Sequence, residues 1–138
     1  MPQAWGNQTA PTLADFQTLA DEAWQRLPAE FRQMCDGLLI RIEDFPTEEV
    51  LNALDIDSEF DLLGLYQGIS IDQKSVMDMP REPDMVFLYR RPVLDYWAEH
   101  EEALGHIIAH VLIHEIGHHF GLSDADMEAI EAAVGEPV

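Results

Sequence analysis

The chain is poor in basic residues, thiols and long apolar runs. Seven Lys and Arg stand against 27 Asp and Glu, for a formal net charge of −20. A field of that sign repels phosphate backbones and argues against nucleic-acid binding. It equally disfavours anionic membrane surfaces. What it attracts is cations, including divalent metals and basic peptides. Cys35 is the one cysteine, so an intrachain disulfide and a cysteine-based zinc site are both excluded. It reads as a buried, inert thiol, because a reactive one needs electropositive surroundings. No apolar run reaches the roughly 18 residues that a membrane-spanning helix needs. The opening MPQAWGNQTAPTLADF has neither a basic n-region nor an apolar h-region. No secretory signal is therefore expected, and a cytoplasmic location is the expectation.

Hydrophobic residues make up 47% of the 138, which is enough for a core without covalent staples. The length fits one domain, expected over 12–138, behind a flexible polar arm at 1–11 that carries Pro2 and Pro11. Thr12 with Asp15 forms a capping box that opens a helix. Leu13, Phe16, Leu19, Ala20, Ala23, Trp24 and Leu27 mark its apolar face. Pro28 ends that helix or starts a short one over 29–35. Leu38 to Phe45 alternate as a strand, with Leu38, Ile40 and Ile42 on one side. Thr47 to Leu54 fit a short helix. Leu62 to Gln67 and Met85 to Tyr89 read as two further strands, and Ile69 to Ile71 as a short one. Pro92 suits a helix start. Glu99 to Phe120 reads as one long helix with acidic residues in its first turn, and Ser123 with Asp126 caps a last helix to about Val134. The fold class is therefore α+β: a small sheet of three or four strands with helices packed on it, and a long helix in the C-terminal half.

The run from His114 to Asp124 reads HEIGHHFGLSD. His114 and His118 are four apart, so on a helix both imidazoles leave one face about a turn apart and suit adjacent corners of a zinc tetrahedron. Glu115 is rotated by about 100°, which frees it from ligation and lets it act as a general base. Gly121 allows an abrupt helix stop and a turn back toward the metal. Asp124 then falls where a third ligand can meet the same ion, with Asp126 and Glu128 as competitors. Two imidazoles and one carboxylate leave a fourth position open, as in catalytic rather than structural zinc sites. The same donor set also suits iron or manganese. His110 extends the four-residue spacing backward; it reads as an ordinary, partly exposed helix histidine or, alternatively, as a group beside the site that supports it or faces the substrate. His106 drifts further off that face by about 40° per step. His119 and His100 read as packing and surface residues.

The pattern His114, Glu115, His118, Gly121, Asp124, with the upstream LLGLY segment, resembles the minimal-zincin family of small bacterial zincin-like metallopeptidases. The resemblance is strongest over residues 86–124. It implies one Zn2+ per chain, a peptidase-type mechanism and an α+β fold. Relative to the larger metzincins, Asp124 replaces the usual third histidine. Met127 stands inside an expected helix rather than in a methionine turn. Met85 to Tyr89 reads from its residues as a plain core strand; in zincins a strand so placed often lies at a sheet edge and pairs with extended substrate. Lys74, Arg81, Arg90 and Arg91 would protect such an edge or hold a substrate carboxylate. Tyr89, Tyr96 and His110 are the candidate oxyanion donors. Trp5, Trp24 and Trp97 read as packing residues. Two functions follow: a zinc peptidase acting on peptide or protein substrates, basic ones in particular, or a catalytically silent, metal-stabilised binding or regulatory module.

Overall fold

A computed structural model describes residues 5–35, 37–68 and 84–134. In chain order the helices are α1 (Leu13–Arg26), α2 (Ala29–Gln33), α3 (Glu48–Ala53), α4 (Arg90–Glu99), α5 (Leu104–His119) and α6 (Asp124–Val134). The strands are β1 (Leu39–Glu43), β2 (Gly64–Gln67) and β3 (Met85–Tyr89), with single 3-10 turns at Trp5–Asn7 and Glu59–Asp61. This is the α+β class expected, with a three-stranded sheet among the described residues. The expected strand at Ile69 to Ile71, with Lys74 and Arg81, lies outside them.

The order is β1-β3-β2, with β3 parallel to β1 and antiparallel to β2. Among the described residues β3 is central, as its reading as a plain core strand has it and not as the zincin edge-strand analogy would, and β2 lies on its other side from β1. Strand order depends on a crossover between distant segments, which alternation along one strand does not report. Register places Ile40 and Ile42 beside Val86 and Leu88, and those beside Tyr66 and Gly64. That face packs on helices. Val86 and Leu88 join Phe16, Ala20 and Ala23 of α1 and Ile107, Ile108 and Leu112 of α5 in one fully buried cluster. A second cluster joins Leu27, Phe31 and Cys35 to Ile113, Ile116 and Met127.

Helix α5 is thus wrapped by core on most of its circumference, as its apolar composition requires. The strip that remains carries His110, His114 and His118. The helix begins at Leu104, not Glu99 as expected. His100 is extended, stacks on Tyr96 and donates Nδ1–H to the Tyr96 carbonyl at 2.7 Å, which closes the last turn of α4. Glu101 and Glu102 then fall in the connection rather than in a first helical turn. Elsewhere local signals hold. The Thr12–Asp15 box is present in both directions. Two expected packing residues do not pack: Leu13 is 43% and Trp5 69% exposed. Arg90 is a clamp, with Nε on the Pro11 carbonyl and a guanidinium nitrogen 3.1 Å from Asp44. It holds no free carboxylate site.

Candidate metal centre

Gly121 lies at φ 73°, the left-handed conformation that L-residues with a Cβ resist, and it turns the chain out of α5. Ser123 then caps α6, accepting from the Asp126 N–H, while Asp126 accepts from the Ser123 N–H. The Asp126 carboxylate is thereby occupied in the cap. Buried Met127 packs on Gly117, and Glu131 reaches His110 and His114, so α6 runs back antiparallel along α5.

The sequence-read residues fall as follows. His114 is half-buried, and burial first, then His110, lowers its imidazole pKa; it is held neutral, the ligating form. His118 is exposed, and its ring meets that of His114 edge-on at 5.8 Å. Asp124 is the exposed first residue of α6 and acts on His114 through its charge. Among the described residues, the His, Cys, Asp and Glu donors whose ligand atoms all lie within 4.8 Å of one another are His110, His114 and Glu131. His118 and Asp124 are outside that cluster.

Glu131 was missed by sequence reasoning. Its signal was present: it follows Asp124 by seven residues, two helical turns, and so shares a face with it. Its Oε1 meets the His110 ring and lies 3.5 Å from His114 Nε2, is hidden from solvent, and has no hydrogen bond. A carboxylate oxygen hidden from solvent and facing two imidazole nitrogens is a place for a cation. With two imidazoles beside it, the donor chemistry fits zinc or a similar divalent ion.

Glu115 sits on the sheet side of α5. Burial raises its carboxyl pKa, against lowering by His118 and by a hydrogen bond from the Tyr66 backbone N–H. The register explains that bond. Leu63 accepts from Tyr89 N–H, so odd-numbered residues of this edge face β3 and the Tyr66 N–H points outward to the helix. Gly64 permits the close approach: a Cβ there would lie 2.5 Å from Val111 Cγ1 and 3.5 Å from Glu115 Cγ. The Tyr66 ring stacks on His119 at 3.8 Å, and its hydroxyl donates to Asp84 at 2.8 Å. Tyr89 is buried, and burial pushes its phenol up to about 12. A cleft of about 350 Å³ opens beside the cluster, floored by Leu63, Ile107 and Val111, with Tyr96, His110 and Glu131 on its walls.

No helix among the described residues is long and apolar enough to cross a membrane. The chain has no match among curated proteins. A family model described as "Zincin-like metallopeptidase" matches residues 35–134, a span that holds β1, β2, β3, α5 and α6. The chain belongs to the zincin-like metallopeptidase family.

Proposed function

We propose that the protein is a zinc-dependent peptidase in which His114, His118 and Asp124 hold the metal and Glu115 is the general base. The observation that carries this reading is the placement of Glu115. It is a half-buried carboxylate beside the ligand histidines, aimed by a backbone N–H of the neighbouring strand, with a raised pKa. A site that only holds a metal has no use for such a group. This weighs against the catalytically silent module.

A zinc ion held by those residues would lower the pKa of water to about 7 and polarise a peptide carbonyl. The rest falls to the chain. Glu115 takes the proton from the attacking water at its carboxylate and passes it to the leaving amine. The Tyr66 N–H fixes the orientation of that carboxylate, and burial makes it a stronger base. Tyr96 and His110, on the wall of the cleft, are the groups available to an incoming carbonyl oxygen. An apolar floor with Glu102 and Glu131 at its margin suits a Lys or Arg side chain, stem on Leu63 and Val111 and cation toward the carboxylates. The net charge of −20 draws basic peptides to it.

The test is a peptide library incubated with zinc-loaded protein and read by mass spectrometry, beside the same protein stripped by chelator. Zinc-dependent cleavage enriched next to Lys or Arg is the expected result. No cleavage at one zinc per chain would return the weight to the binding module.

A further inference from the structure

Helix α5 presents histidines at 110, 114 and 118, four apart, and α6 returns along them with Asp124 and Glu131 seven apart. Four helical residues advance about 400° and seven about 700°, so successive members of each set stay within about 40° of one face. Two antiparallel stripes of that spacing offer two stations. One is the family motif at His114, His118 and Asp124. The other is the cluster of His110, His114 and Glu131, whose His110 and Glu131 the motif leaves unused.

We propose that His110, His114 and Glu131 form a second divalent-metal station that shares His114 with the motif. Three observations carry it. The three ligand atoms lie within 4.8 Å of one another. Donor atoms around a tetrahedral zinc stand about 3.3 Å apart, given bonds of about 2.0–2.1 Å, so the cluster closes with side-chain shifts of about 1 Å. Glu131 Oε1 is hidden from solvent without a hydrogen bond, pointing between two imidazoles. His110, with 52% of its side chain exposed on the cleft wall, leaves room for water or a further ligand.

Sharing His114 has a consequence. A neutral imidazole offers one lone pair, so it binds one ion at a time. The stations are alternatives. An ion drawn toward Glu131 takes His114 from the motif and leaves it His118 and Asp124 alone. The second station is thus a resting place that competes with the motif for the same metal. It stands independently of the peptidase reading.

The test is cobalt binding to the full chain, read by visible ligand-field absorption and chelator competition. His118→Ala with Asp124→Ala removes the motif's own ligands, and both residues are exposed, so the core is undisturbed. The expected result is one cobalt per chain in this double variant. Adding Glu131→Gln should then weaken it by at least about tenfold. Histidine ¹⁵N NMR of the double variant should show the His110 ring shifting on zinc addition. Circular dichroism verifies folding, and His118→Gln with Asp124→Asn serves if the alanine variant is unstable. A folded double variant that binds no cobalt, or one whose affinity Glu131→Gln and His110→Ala leave unchanged, overturns the proposal.

Discussion

Gly64→Ala tests the seam between the sheet edge and the metal helix. The added methyl would lie 2.5 Å from Val111 Cγ1 and 3.0 Å from the Phe87 carbonyl oxygen. Carbon atoms in contact prefer about 3.5–4.0 Å, so the surfaces must part by about 1 Å. Neither neighbour yields easily. Val111 is β-branched and stiff. Phe87 is backbone of the central strand. Overpacking of this kind costs about 2 kcal/mol. Against it stands the entropic gain of replacing glycine, up to about 1 kcal/mol. The clash wins, leaving a net loss of about 1 kcal/mol, or a fall in Tm of about 4 °C for a domain of this size. The seam also carries the Tyr66 N–H to Glu115, so activity should fall by more than stability explains. Val111→Ala removes the clashing methyl. The double variant should therefore be less destabilised than the sum of the two singles, by about 1 kcal/mol. Calorimetry of the four proteins checks this. A Gly64→Ala protein as stable as wild type, or strictly additive effects, would refute the reasoning.

Tyr66→Phe removes the hydroxyl donor to the buried Asp84 carboxylate while keeping the stack on His119, and should cost about 1.5 kcal/mol in urea unfolding. Burial, with Asp84 adding to it, pushes the Cys35 thiol up to about 11, so the folded chain should resist a thiol reagent at pH 8 and react at once in denaturant. Glu115 has a folded pKa raised above its unfolded value, so the folded state binds its proton more tightly and stability falls as pH rises through that raised pKa. Glu115→Gln should therefore melt higher than wild type at pH 7.5 in chelator, with the gap narrowing as pH is lowered toward the ordinary glutamate range.

Local signals were readable from the residues alone. The Thr12 box, the β1 alternation and the stop at Gly121 are each decided within a few residues, and each is present. The long helix was legible as a helix but not at its start, because Glu101 and Glu102 serve equally as first-turn acids or as a polar connection. The partners of β3 were not legible: it pairs with β1, more than 40 residues away. Glu131 illustrates the same limit at the site. Its spacing from Asp124 is local, but its meeting with His110 exists only once α6 folds back along α5. The aim of Glu115 likewise depends on which residues of β2 face outward, a matter of register that β2's own four residues do not decide.

The central claim is that Glu115 acts as a base in peptide hydrolysis. It is tested most directly by kcat/KM of wild type and Glu115→Gln on one cleaved peptide, at equal zinc content verified by metal analysis. The account predicts equal metal and a loss of roughly 10²–10⁴-fold in the variant. Equal metal with unchanged turnover would contradict it.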